Sequence, residues 1–167
     1  MSRIFLPNKK RSKKIVVETR EANSITNEQC LDVLPGEKKY FDDLKNQYLG
    51  QFDFYIRNSH SPYYNCHGLT FASRRTCVID VAEIPQILID DGYEEIPMKE
   101  TLPGDIVLYY SLNGDIEHSG IVISKPNLAS YFIPLILSKW GAAFEAIHPF
   151  NKTSYDTSQS KFYRVVK

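Results

Sequence analysis

The sequence predicts an α+β domain whose sheet is mostly antiparallel. Up to about residue 91, apolar residues recur at helical spacing, whereas short strand-like segments separated by turn sequences follow. Helices followed by a run of strands are typical of this class, because consecutive short strands joined by tight turns pair antiparallel. An aromatic content of 13% also favours a strand-rich domain. The predicted strands are 93–96, 106–110, 121–124, 132–138, 144–147 and 162–166.

Three helices and one earlier strand are predicted before that run. The first helix, 37–49, follows a Pro-Gly turn at 35–36 and carries apolar residues at helical spacing. The second begins at Cys66 and runs to about residue 73. The third has Asp80 as its N-cap and ends before Gly92, with Pro85 predicting either a kink or a later start. The earlier strand is 52–56.

Charge distribution divides the chain. Residues 1–14 hold six basic residues and no acidic residue, so we expect a flexible basic tail there, with a targeting or nucleic-acid arm as the alternative. Residues 15–60 are predicted to be an extension with one helix, and 61–167 the main domain. Over the whole chain, twenty basic residues balance twenty acidic ones, so composition predicts no nucleic-acid partner.

Several classes of protein are disfavoured by composition. The longest apolar stretch, 131–137, contains a proline and is too short to cross a bilayer, so no membrane association is predicted. Three cysteines without a C-x-x-C pair predict neither a disulfide framework nor a zinc site, and no cofactor is implied. The start of the chain shows no secretory signal, which predicts a cytoplasmic protein or one exported without a cleaved signal peptide.

Cys66 and His118 are the candidate catalytic pair. A thiol becomes a good nucleophile where a helix N-terminus and a nearby imidazolium stabilise its thiolate, and Cys66 is predicted to start a helix. His118 opens an apolar strand after a tight turn and could project into a cleft. The two residues are 52 positions apart, so only the fold could bring them together; taken separately, each is more often structural.

Three motifs resemble the NlpC/P60 cysteine peptidases of the papain-like superfamily. Residues 64–69, Tyr-Asn-Cys-His-Gly-Leu, resemble the family's Tyr-Asp-Cys-Ser-Gly-Leu signature. Residues 102–109, Leu-Pro-Gly-Asp-Ile-Val-Leu-Tyr, are similar to its Pro-Gly-Asp strand entry, and 118–123, His-Ser-Gly-Ile-Val-Ile, resemble its His-Val-Gly-Ile-Tyr strand. The motifs occur in the family's order and span about 63–140, whereas 1–60 match no part of it. Asn65 and His67 depart from the usual Asp and Ser.

The resemblance implies a papain-like fold, with Cys66 as a nucleophile at a helix N-terminus packed on the sheet and His118 as general base. The segment Ser-Lys-Trp-Gly at 138–141 is similar to papain's Asn-Ser-Trp-Gly. It implies that Ser138 orients His118 and that Trp140, the only tryptophan, shields the contact from water. His148 is the alternative orienting residue, because NlpC/P60 enzymes often use a second histidine; we favour Ser138.

An oxyanion would be stabilised by the backbone N–H of Cys66 and one further donor. His60 stands six residues before the cysteine, where papain has a Gln donor. Tyr64, next to the nucleophile, is the other candidate, and a buried packing role for Tyr64 is equally compatible with the sequence.

The implied function is a cysteine hydrolase that cleaves an amide or peptide bond in a peptide, an isopeptide or a peptidoglycan stem peptide. The alternatives are a deamidase or acyltransferase acting as a bacterial toxin or effector, whose partner would include an immunity or inhibitor protein, and a non-catalytic binding module on the same scaffold. If Cys66 is the nucleophile, we expect it to be alkylated before Cys30 and Cys77.

Overall fold

The computed structural model describes residues 11–58, 60–124 and 133–166, which form three α-helices and ten strands in two sheets. The helices are α1 Pro35–Gln51, α2 Cys66–Phe71 and α3 Ile84–Asp90. The strands are β1 Ser12–Lys13, β2 Asn27–Cys30, β3 Tyr55–Asn58, β4 Cys77–Val78, β5 Tyr93–Ile96, β6 Ile106–Tyr110, β7 Ile116–Ser124, β8 Leu135–Lys139, β9 Glu145–Pro149 and β10 Lys161–Val165.

The main sheet has seven strands in the order β3-β9-β8-β7-β6-β10-β5, and every described pairing is antiparallel. The predicted α+β class with a mostly antiparallel sheet is therefore confirmed. Its central strands are buried on both faces, because helices cover each side.

Side-chain alternation assigns the helices to opposite faces of this sheet. On one face, Tyr48 of α1 packs with Trp140 and Phe144 in an aromatic core. On the other face, Leu69 of α2 packs on Leu137, and α3 packs on β6. By the same alternation, His118 and Ser138 lie on the α1 face of the sheet, whereas Ser119 lies on the α2 face.

The predicted helices are confirmed with shifted boundaries. Helix α1 starts at Pro35, because a proline is favoured in a first turn and the Glu37 carboxylate accepts the Leu34 N–H at 3.0 Å. Asp80 caps a 3₁₀ turn, Val81–Glu83, and α3 begins only at Ile84. The later start is thus the correct alternative for the third helix, with Pro85 in its first turn.

Most predicted strands are found, with three displacements. The predicted strand 52–56 was placed too early, because Phe52 and Phe54 pack in the aromatic core and pairing begins at Tyr55. Strand β7 extends back to Ile116, since its partner β6 continues to Tyr110. The predicted strand 132–138 starts at Leu135 within the described residues, and residue 132 lies outside them.

The N-terminal segment is joined to the rest of the chain by a small sheet in the order β1-β2-β4. Most of the predicted 1–14 tail lies outside the described residues. Its last part is not a free tail, because Ser12 and Lys13 pair with β2 and the Arg11 guanidinium forms an ion pair with Asp32 at 2.7 Å. In the part of the chain that the structure covers, no helix is long and apolar enough to span a bilayer.

Gly120 is required by the packing between β7 and β8. A Cβ at this position would overlap the Ile136 side chain and the Ser138 hydroxyl of the neighbouring strand. Gly120→Ala is expected to lower the free energy of unfolding by about 1–3 kcal/mol, because an extra methyl group must displace a packed core. Urea unfolding measures this. Gly50→Ala on α1, where no atom lies within 4 Å, is the control and should leave stability unchanged or raise it; an equal loss in both variants would contradict the packing argument.

Candidate active site

Asn65 positions the start of α2. Its side-chain oxygen accepts the Gly68 N–H at 2.8 Å and the Val78 N–H at 3.2 Å, while its amide nitrogen donates to the Val78 carbonyl at 2.8 Å. An aspartate could make the first two bonds but could not donate the third. Asn65, which stands where the Tyr-Asp-Cys pattern has an aspartate, therefore caps α2 and also joins it to β4.

Helix α2 docks on β7 immediately beside His118. The His67 Nδ1 lies 2.9 Å from the Ser119 hydroxyl, and the Thr70 hydroxyl contacts both the Cys66 carbonyl and the Ser119 hydroxyl at 3.0 Å. Burial lowers the pKa of His67 to about 4, so its imidazole is neutral. Thus His67, the second departure from the family pattern, holds Cys66 against the residue that follows His118.

The Cys66 thiol is buried at the first position of α2. Burial raises its pKa to about 11, although the backbone N–H groups of Ser119, His67 and Cys66 itself lower it in part. The resting sulfur is therefore a protonated thiol. The loss of hydration outweighs the stabilising effect of the helix N-terminus and its N–H donors on the thiolate, so a reactive thiolate at Cys66 stays a prediction.

His118 is 1% exposed and surrounded by aromatic rings. Its imidazole stacks on Tyr155 at 4.1 Å with an interplanar angle of 10°, and the Trp140 ring lies 5.3 Å away. Burial lowers its pKa well below the usual value, with His148 and His67 adding to the effect. The ring is therefore neutral, and its Nε2 has no hydrogen-bond partner among the described residues. A buried imidazole nitrogen without a hydrogen-bond partner is rare in folded proteins, which makes His118 a candidate functional residue.

Ser138 and His148 lie on the same face as His118 and contact each other. The His148 Nδ1 is 2.9 Å from the Pro149 carbonyl, which can only accept, so the proton is on Nδ1. Its Nε2, 3.3 Å from the Ser138 Oγ, therefore accepts the serine hydroxyl. Ser138 pairs with Gly120 of β7, and Gly120 is two residues after His118 in the same strand. Ser138 and His148, the two candidate orienting residues, are thus brought into contact with each other. The ring that stacks on His118 belongs to a third residue, Tyr155.

The Ser138–His148 contact is expected to act as one unit in stability. Ser138→Ala, His148→Ala and the double variant should show a coupling of about 0.5–1.5 kcal/mol, because either single change breaks the same buried hydrogen bond. Urea unfolding of the four proteins measures the coupling. Additive single effects would show that the 3.3 Å contact contributes nothing.

The two candidate oxyanion donors, His60 and Tyr64, each have contacts of their own. The Tyr64 hydroxyl donates to the Glu145 carboxylate at 2.9 Å and its ring is buried, contacts that favour the packing role for Tyr64. The His60 ring stacks on Phe41 of α1 at 6.2 Å, and its Nδ1 is buried without a partner in the described part of the chain. Ser119, whose backbone lowers the pKa of Cys66 in part, is a residue that sequence reasoning missed; its only sequence signal is its position beside His118.

Two buried charges organise the loops around the site. Glu145, fully buried, accepts hydrogen bonds from Arg74 and Tyr64. The Lys139 Nζ donates to the Ser61, Gly141 and Ala143 carbonyls at 3.0, 2.7 and 3.1 Å, and burial lowers its pKa to about 8. The ammonium therefore joins the loop before Cys66 to the turn after Trp140. Neither residue carried a sequence signal.

No set of three or more His, Cys, Asp or Glu residues in the described ranges could hold a metal ion. Comparison of the chain with protein-family models, with curated proteins and with solved structures gave no match in any of the three.

Proposed function

We propose that this protein is a cysteine hydrolase of the papain-like, NlpC/P60-like kind, with Cys66 as nucleophile and His118 as general base. The observation that carries the proposal is the docking of Cys66, at the start of α2, against the residue next to His118, whose Nε2 is buried without a partner. The three sequence motifs supply the residue types, and their order along the chain supports the same assignment.

The proposed chemistry is general-base catalysis that starts from a protonated Cys66 thiol and a neutral His118 imidazole. As the sulfur attacks a substrate carbonyl, the imidazole of His118 takes the thiol proton, and a tetrahedral oxyanion forms. Backbone N–H groups of Cys66 and Ser119 are the candidate donors to that oxyanion. The C–N bond then breaks, the leaving amine takes the proton from His118, and water, deprotonated by the same imidazole, hydrolyses the thioester.

The aromatic surroundings of His118 suit this sequence of protonation states. Burial keeps the resting imidazole neutral, whereas the imidazolium exists only during the reaction. The faces of Tyr155 and Trp140 beside the ring stabilise that transient cation, since aromatic faces attract positive charge.

The substrate proposed is an amide or peptide bond in a peptide, protein or peptidoglycan fragment. Deamidation and acyl transfer use the same thioester intermediate and differ only in the leaving and accepting groups. A second candidate is a non-catalytic binding module, favoured by one observation: the Cys66 thiol and the His118 ring are both almost completely buried.

The test is the pH dependence of alkylation at each cysteine by iodoacetamide, measured by mass spectrometry in wild type and His118→Ala. If His118 is the base, Cys66 is expected to react at a rate that is level between about pH 7 and 9 and at least tenfold faster than in His118→Ala. Without the base, a thiol of pKa about 11 reacts only as its thiolate forms, so the rate should rise tenfold per pH unit.

Cys30 and Cys77 are internal controls and should react equally in both proteins. Cys66 alkylation that is unchanged by His118→Ala would refute the pair. A Cys66 that stays unmodified below pH 9 in wild type would favour the binding module.

A further inference from the structure

A cleft of about 320 Å³ lies between α1 and the turn that follows β8. One wall comes from α1 of the N-terminal extension, and the opposite wall comes from the turn and from the loop between β9 and β10. The cleft is lined by Tyr40, Phe41, Leu44, Tyr48, Trp140, Gly141, Ala142, Ala143 and Tyr155.

The cleft borders the candidate active site, because two of its wall residues also contact His118. Tyr155 and Trp140 both line it, and the same two rings contact His118 at 4.1 and 5.3 Å between centroids. Tyr155 is also close enough to Cys66 for a charge on the sulfur to raise the pKa of its hydroxyl, in addition to the effect of burial. A group bound in this cleft would therefore contact the same two rings that contact the proposed base.

The walls are held in place by polar contacts outside the lining. The Tyr48 hydroxyl bonds the Ser154 hydroxyl at 2.6 Å, which joins α1 to the loop that carries Tyr155. Lys139 binds the carbonyls of Gly141 and Ala143 from below the turn. The cleft is thus preformed rather than assembled from independent loops.

The lining excludes charged groups. No wall residue is ionised at neutral pH, so a buried carboxylate or ammonium would lose hydration without gaining a counter-charge. The volume is near the lower end of the range for ligand pockets, roughly 300–1,000 Å³, and is enough for one ring-sized group. Aromatic walls on both sides favour a flat or branched apolar group.

We propose that this cleft is the specificity pocket of the enzyme and binds one uncharged apolar side chain, aromatic or leucine-like, of a peptide substrate. This inference rests on the proposed function, because a specificity pocket requires that the protein is a hydrolase. It assigns α1, which lies outside the resemblance to NlpC/P60 peptidases, the role of selecting the substrate.

The test uses Trp140, the only tryptophan of the chain, as a reporter within the cleft wall. The Cys66→Ser protein is titrated with the N-acetyl amides of phenylalanine, leucine, lysine and aspartate while tryptophan fluorescence is recorded. The phenylalanine and leucine amides are expected to bind with Kd on the order of 1 mM, as small apolar ligands do, and the charged amides at least tenfold more weakly.

A matched pair of substitutions on α1 locates the binding. Leu44→Asp is expected to weaken the phenylalanine amide at least tenfold and to strengthen the lysine amide. Leu49→Asp, the same change on an exposed part of the same helix, should have no effect. If Leu44→Asp fails to fold, Tyr40→Ala, whose side chain is 60% exposed, should still weaken phenylalanine binding three- to tenfold.

Equal responses to the four amides, or no response to any, would overturn the pocket even if Cys66 reacts through His118. A selective response with a Cys66 that is indifferent to His118 would retain the cleft as a binding site for apolar side chains. That result would remove only the hydrolase, so the two failures are distinguishable.

Discussion

Cys66→Ser is expected to lower kcat/KM for amide hydrolysis by at least about 10³-fold. A serine hydroxyl is far harder to deprotonate than a thiol, and His118, whose pKa lies well below its usual value, is too weak a base to activate it. The substitution keeps the size and the polar contacts of the side chain, so the free energy of unfolding should change by less than about 1 kcal/mol.

Cleavage of a peptide mixture, followed by mass spectrometry, measures the effect. Cys77→Ser is the matched control, because Cys77 also has a pKa raised to about 11 by burial but lies on β4. Cys77→Ser should keep full activity. Equal activity in Cys66→Ser and wild type would contradict the assignment of the nucleophile.

Glu145→Ala is expected to lower the free energy of unfolding by about 1–3 kcal/mol. The carboxylate is fully buried and accepts the Arg74 Nε at 2.9 Å, the Arg74 Nη2 at 3.1 Å and the Tyr64 hydroxyl at 2.9 Å. Its removal leaves the buried Tyr64 hydroxyl without its acceptor, whereas the Arg74 side chain, 39% exposed, is still hydrated, so the unsatisfied hydroxyl and the lost hydrogen bonds carry the cost. Urea unfolding at pH 7 measures the loss.

Glu95→Ala is the control, since Glu95 forms an exposed ion pair with Lys161 at 2.9 Å and exposed pairs contribute about 0–1 kcal/mol. The pH dependence provides a second readout. Burial opposes ionisation of Glu145, but Arg74 and Tyr64 outweigh it and lower its pKa below the ordinary 4.5. The stabilisation should therefore be complete above about pH 4.5 and decrease as the pH falls further. A loss as small as that of Glu95→Ala would show that the cluster is not stabilising.

Local features of the chain determined the helices and strands. The Pro35 turn and the recurrence of aromatic residues on one side predicted α1, and Asp80 marked the first turn before α3. These signals act between neighbours in sequence, so they can be interpreted without a fold. Boundaries moved where pairing with a strand far along the chain decided them, as for β3, which begins at Tyr55, where pairing with Ile147 of β9 starts.

The candidate site shows the same division. The sequence by itself determined that Cys66 begins a helix and that His118 is on a strand, since capping and strand patterns are local. Only the tertiary structure decided their protonation states and surroundings: a protonated thiol, a neutral imidazole stacked on Tyr155, and the Glu145 and Lys139 contacts. Burial, stacking and ion pairing join residues far apart in the chain, and no local pattern encodes them.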